Sequence, residues 1–128
     1  MKKYKYDFEI AADPKTAKEV LTKLSKDKGN YVRCSVASNL NTSVEVLKEL
    51  SKDEDYYVRC CVAKNPNTPK EIIEVLSKDN TFIVRYDLSG NLNTPNEILK
   101  NLLYDINYTV RQRTLETLIK KKNLKLFA

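Results

Sequence analysis

A chain of 128 residues with 41% apolar side chains and a net charge of +6 is one domain with enough apolar material for a continuous core. It has no histidine and only two isolated glycines, which removes His-dependent triads, most zinc sites, the commonest general base and any glycine-rich phosphate loop, so no catalytic residue, metal ligand or cofactor site is assigned. Residues 1–10 carry Lys2, Lys3, Lys5, Asp7 and Glu9 with no apolar stretch, unlike a secretory leader, and no run approaches membrane-spanning length.

Residues 4–13 read as a degenerate first helix, with Tyr6 and Ile10 in positions that valines take further on. From there the chain repeats. Val32-Arg33, Val58-Arg59, Val84-Arg85 and Val110-Arg111 return at intervals of 26 residues, the signature of stacked helical units. Within each unit Thr16, Thr42, Thr68 or Thr94 is followed three residues later by Glu19, Glu45, Glu71 or Glu97. Thr-x-x-Glu before an apolar run reads as a capping box, worth about 1 kcal/mol, and it predicts helix starts near residues 17, 43, 69 and 95. Pro69 and Pro95 then stand at the first helical position. These helices are expected to run about ten residues, with one apolar stripe such as Val46, Leu47 and Leu50.

A second, shorter helix is expected in each unit after the caps Gly29, Asp55, Thr81 and Asn107. Val32 and Val36, or Val58 and Val62, give it i, i+4 spacing, and Pro66 ends the second of them at Asn65. The chain closes on one longer helix from Tyr108 to about Lys121, followed by a basic tail. The fold expected is therefore all-α: a right-handed α-solenoid of four 26-residue two-helix repeats, about 4–29, 30–55, 56–81 and 82–107, plus a C-terminal capping helix and tail over 108–128.

The unit Val-Arg-x-x-Val-Ala-x-Asn-Pro-Asn-Thr-Pro-x-Glu-Ile-Ile-x-x-Leu-Ser-x-Asp, written out best over residues 58–79, resembles the leucine-rich repeat variant family, a HEAT-like helical solenoid. The resemblance covers roughly residues 11–115. It implies a curved helical stack and no single activity. The iron–sulfur cluster of the founding type sits on a separate Cys-rich segment with no counterpart here, so none is carried over. The HEAT-like Asp-x5-Arg spacing implies an internal ladder that pairs Asp27 with Arg33, Asp53 with Arg59, Asp79 with Arg85 and Asp105 with Arg111.

Three cysteines, Cys34, Cys60 and Cys61, form no C-x-x-C pair. Cys34 and Cys60 fall one helix spacing apart, about 8–10 Å, beyond the roughly 7 Å reach of a disulfide. Reduced thiols in a cytoplasmic protein are the expectation. Net charge by segment is +3 for residues 1–29, −2 for 30–55, +1 for 56–81, −1 for 82–107 and +5 for 108–128. A solenoid tracking a phosphate backbone would carry cations in every unit.

Function is sought where the units differ. Tyr56, Phe82 and Tyr108 share one position, with Tyr31 and Tyr57 in the next, and Tyr86 and Asp87 depart from the cysteines and serine of the other units. These seven are the candidate protein-binding residues, aromatic anchors being favoured at interfaces. The expected function is non-enzymatic protein binding to a partner of unknown identity, with no membrane contact. The alternative is nucleic-acid binding through basic residues at the solenoid ends, with Arg111, Arg113, Lys120, Lys121, Lys122 and Lys125 as the candidates.

Overall fold

The computed structural model describes residues 6–126, and every regular element among them is an α-helix. In chain order these are α1 (Asp7–Ala12), α2 (Lys18–Leu24), α3 (Asn30–Ser38), α4 (Val44–Leu50), α5 (Tyr56–Lys64), α6 (Lys70–Leu76), α7 (Phe82–Ser89), α8 (Asn96–Leu102) and α9 (Tyr108–Leu126). The odd-numbered helices pack each on the next, from α1 to α9, and α2, α4 and α6 lie against the odd helices on either side. Helices of six to nine residues would melt in isolation, so packing holds them. One apolar cluster runs through the molecule. Val32, Val36, Val58, Val62, Val84, Leu88 and Val110 supply one side of it, and Leu21, Leu47, Ile73, Leu76 and Leu99 the other.

Three local expectations are corrected. The helices that follow the threonines are the shorter set, seven residues each, whereas α3, α5 and α7 run nine, nine and eight. Their starts shift because the threonines are not N-caps. Ala17, Ser43, Pro69 and Pro95 occupy the cap positions, which puts both prolines one residue before the helix. Each Thr hydroxyl instead donates backwards: Thr42 to the Val36 carbonyl at 2.6 Å, Thr68 to Val62 at 2.7 Å and Thr94 to Leu88 at 2.8 Å. In a buried corner, a hydroxyl beside the open carbonyls of the preceding helix satisfies one of them. Finally, α9 extends to Leu126 rather than stopping near Lys121, because residues 120–126 contain no Gly or Pro and four good helix-forming lysines. The residues read as a tail are therefore helical as far as 126. In the first unit the described helix begins at Asp7, with Tyr6 as its cap, while residues 4 and 5 lie outside the described residues.

The asparagines do more than form turns. Asn39 Oδ1 accepts the Asn41 N–H at 2.8 Å, while its Nδ2 donates to the carbonyls of Ala11 and Asp13 at 2.8 and 2.9 Å. Asn65 reaches Ala37 and Asn39 in the same way, and Asn91 reaches Ala63 and Asn65. Asn41, Asn67 and Asn93 add bonds to the carbonyls of Thr16, Leu40 and Pro66. Each helix–turn segment is thereby tied to backbone about 26 residues earlier.

Candidate protein-binding surface

The turn before each odd helix sets the surface. Asp27 Oδ1 accepts the Gly29 N–H, Asp53 the Asp55 N–H, Asp79 the Thr81 N–H and Asp105 the Asn107 N–H, all at 2.8–2.9 Å. These turns fix where α3, α5, α7 and α9 begin. The valine two residues into each of these helices faces the core, and of the first-turn aromatics Tyr31, Tyr57, Phe82 and Tyr108 face outward.

The arginines pair with the aspartate twenty residues further on, not with the one six residues before. Arg33 Nε donates to Asp53 Oδ2 at 2.8 Å, Arg59 to Asp79 at 2.9 Å and Arg85 to Asp105 at 2.8 Å. The expected pairing of Arg33 with Asp27 is replaced by a bond from Arg33 Nη1 to the Asp27 backbone carbonyl at 2.9 Å, and Arg59 and Arg85 treat Asp53 and Asp79 likewise. The reason is the turn itself, in which the Asp carboxylate is folded toward its own i+2 N–H and toward the preceding odd helix. Arg111 donates to the carbonyls of Asp105 and Ile106 and has no carboxylate partner among the described residues. Burial pushes the Asp105 carboxyl up, but the Arg85 guanidinium and the Asn107 N–H outweigh it and hold the group below its ordinary range.

The aromatic candidates divide. Tyr31 is 78% exposed, and Tyr57, Phe82 and Tyr108 are also exposed. Tyr56 is half-buried against the core, its ring stacked on Tyr57 with centroids 4.6 Å apart, and Tyr57 raises its phenol pKa by hydrogen bonding. Between α3 and α5 an open depression of about 650 Å³ is lined by Tyr31, Arg33, Glu54, Asp55 and Tyr56. Asn30 Nδ2 donates to Asp55 Oδ2 at 2.7 Å there, and this bond together with the Tyr57 N–H lowers the Asp55 pKa. Tyr86 and Asp87 lie elsewhere. Tyr86 packs on the core under the Arg113 guanidinium, 5.2 Å from its ring centroid, and Asp87 sits beside the Cys60 thiol.

Two exposed residues escaped the sequence reading: Tyr104, 87% exposed, and Ile106, 91% exposed. A signal for them exists. Leu-Ser-Lys-Asp at residues 24–27, 50–53 and 76–79 becomes Leu102-Leu103-Tyr104-Asp105, and the position of Lys28, Glu54 and Asn80 becomes Ile106. Comparing the turns, and not only the helices, would have found it.

The cations proposed for the alternative are partly occupied. Arg111 holds two carbonyls and lies 5.7 Å from the Tyr108 ring centroid, Arg113 covers Tyr86, and Lys121 Nζ donates to the Thr94 carbonyl at 2.7 Å. Burial, with Lys125 nearby, lowers the Lys121 pKa. Lys120, Lys122 and Lys125 are exposed on α9. The cysteines are free thiols. Burial, reinforced by Cys61 for Cys34 and by Asp87 for Cys60, pushes both thiols up to about 12, which suppresses the reactive thiolate. No cluster of three metal-ligating side chains occurs among the described residues, and no described helix is long and apolar enough to cross a membrane. Comparison with family models, curated proteins and solved structures finds no match to this chain.

Proposed function

We propose that the chain is a non-enzymatic protein-interaction module, built as a short right-handed α-solenoid of four 26-residue two-helix units closed by α9, and working in a reduced cytoplasmic setting. The Asn-to-carbonyl and Arg-to-Asp bonds support the stacking, since each recurs between successive segments with the same partners. The resemblance to leucine-rich repeat variant and HEAT-like proteins agrees with that reading. The observation that carries the function is the outward aromatic edge at the starts of α3, α5, α7 and α9. Tyr31, Tyr57, Phe82, Tyr104, Ile106 and Tyr108 are all exposed there. Large apolar side chains at interfaces dominate binding energy when a partner buries them. The nucleic-acid alternative is weaker because Arg111 and Lys121, two of its six cations, are already held by backbone carbonyls.

The test is a nuclease-treated pull-down with wild type, Tyr57→Ala and Tyr104→Ala. A specific partner should be recovered by wild type and lost by the variants, with melting temperatures unchanged because both side chains are exposed. Recovery that survives both substitutions, or high-affinity binding to duplex or single strands that weakens steeply with salt, would refute it.

A further inference from the structure

The end of α9 carries a second surface with its own chemistry. Gly90, the residue after α7, has φ −89 and ψ −7, so no backbone strain calls for glycine there. Space does. A Cβ at Gly90 would lie 2.5 Å from Arg113 Nε and 2.7 Å from Nη2. The corresponding positions are Ser38 and Lys64, so the missing side chain opens this one junction. The guanidinium that fills the gap lies over the Tyr86 ring, 5.2 Å from its centroid, and makes no hydrogen bond or ion pair among the described residues. It faces a cavity of about 120 Å³ shared with Thr117 and Lys120, which follow Arg113 by four and seven residues and so share its helix face. Glu116 also lines the cavity and pairs with neither cation, leaving one positive charge in excess.

An apolar groove of about 420 Å³ adjoins this polar cavity and shares Glu116 and Lys120 with it; Ile119 and Leu124 form its apolar wall. Leu115, on the same exposed side, marks why this face is bare. Its counterparts Ala11, Ala37, Ala63 and Ser89 are fully buried, and the carbonyls of Ala11, Ala37 and Ala63 are covered by asparagines of the following segment. Residues 108–128 carry six basic groups against one acidic. A second copy of the chain would bring like charge to this face, while an acidic segment would be attracted to it.

We propose that the α9 groove binds an acidic, apolar peptide segment of a partner protein. A carboxylate of that segment enters the cavity over Gly90 to meet the Arg113 fork, Thr117 and Lys120, and a neighbouring apolar side chain packs on Ile119 and Leu124. A planar guanidinium already held over an aromatic ring suits bidentate carboxylate recognition and loses little freedom on binding. The site is distinct from the aromatic edge and rests on the protein-binding reading only in calling the ligand a peptide.

The probes are acetate and a short amphipathic peptide bearing Glu and Leu on one face, with its Glu→Gln counterpart. Acetate should shift the amide resonances of Gly90, Arg113 and Thr117. The Glu peptide should bind about tenfold or more tightly than the Gln peptide, and Arg113→Gln should remove that preference. Gly90→Ser, which restores the side chain found at Ser38, should weaken binding about as much while the melting temperature of the fold is checked separately. Equal binding of the two peptides, wild-type affinity in Gly90→Ser, or acetate that leaves those amides unmoved would overturn the proposal. Self-association that Arg113→Gln abolishes would name a second copy as the occupant and overturn it too. Peptide binding lost only in Tyr57→Ala would sink this site and leave the aromatic edge standing.

Discussion

Replacing Arg59 by alanine tests whether the arginines serve the scaffold. The guanidinium holds Asp79 through Nε at 2.9 Å and Nη2 at 3.3 Å, and it also donates to the carbonyls of Asp53 at 2.8 Å and Glu54 at 3.3 Å. The two side chains are 15% and 9% exposed. A fully buried pair broken on one side costs about 3–5 kcal/mol, and an exposed one about 0–1. This rung lies nearer the buried limit, although Asp79 keeps the Thr81 N–H at 2.9 Å. The expected loss is about 3 kcal/mol, or about 10 °C in melting temperature for a chain of this size. Urea unfolding followed by far-ultraviolet circular dichroism would measure it, and a double-mutant cycle with Asp79→Asn would isolate the pair. Arg111 supplies an internal control. It reaches the same kind of carbonyl, Asp105 at 2.7 Å, but no carboxylate. Arg111→Ala should therefore cost only about 1 kcal/mol. A loss below about 0.5 kcal/mol for Arg59→Ala, or equal losses for the two arginines, would refute the reasoning.

Three further outcomes follow from the geometry. Thr68→Ser should be tolerated but Thr68→Asp should destabilise by about 1–3 kcal/mol, since a carboxylate cannot donate to the buried Val62 carbonyl; a neutral or stabilising Asp would restore the capping-box reading, in which Asp is a good N-cap. Asp105 titrates lower in the folded chain than the roughly 3.9 of an unfolded one, so its contribution is present above about pH 4 and drains away as pH falls through the folded value. Asp105→Asn should flatten that acid limb of the stability curve, and an unaltered limb would count against the Arg85 pairing. With both thiols pushed up to about 12 by burial, Cys34 and Cys60 carry far less thiolate at neutral pH than a free thiol. In a Cys61→Ser variant both should resist iodoacetamide in the native state and react readily in urea, and native rates matching a small thiol would refute the burial argument.

Helix existence was legible because it rests on apolar spacing, and Val58, Val62, Ile72, Ile73 and Leu76 all enter the core as their spacing predicts. The helix starts fall within one residue of those expected, but the cap was misread because Thr-x-x-Glu has two chemical meanings. A hydroxyl both accepts and donates, and only the packed neighbour decides which it does. The arginines were assigned to the preceding aspartate instead of the following one because sequence shows which residues recur, not which of two recurring partners they meet. Tyr56 and Tyr57 are adjacent in sequence, yet one is half-buried and the other exposed, a difference set by helix phase against α5's neighbours. Gly90 was visible as a departure, but its role depends on Arg113 lying over it, a contact that joins residues on different helices.

In the proposed stack the polar anchors point both ways along the molecule. Asparagines reach back to earlier carbonyls, and arginines reach forward to the next aspartate. The two ends must therefore each hold half of an anchor. Asp7 stands where the first arginine would be, so the Asp27 carboxylate accepts the Gly29 N–H and no arginine side chain among the described residues. At the other end Arg111 lacks its acid, Thr117 replaces the reaching asparagine, and Leu115 replaces a buried small residue. Residues consumed by the scaffold are the same from unit to unit because every junction asks the same of them. Binding must then draw on side chains that the junctions leave over, and these are the outward aromatics of the helix starts and the cation-lined groove of α9. Substitutions at these two surfaces should change recognition with little effect on stability, and those in the Arg–Asp and Asn anchors should do the reverse.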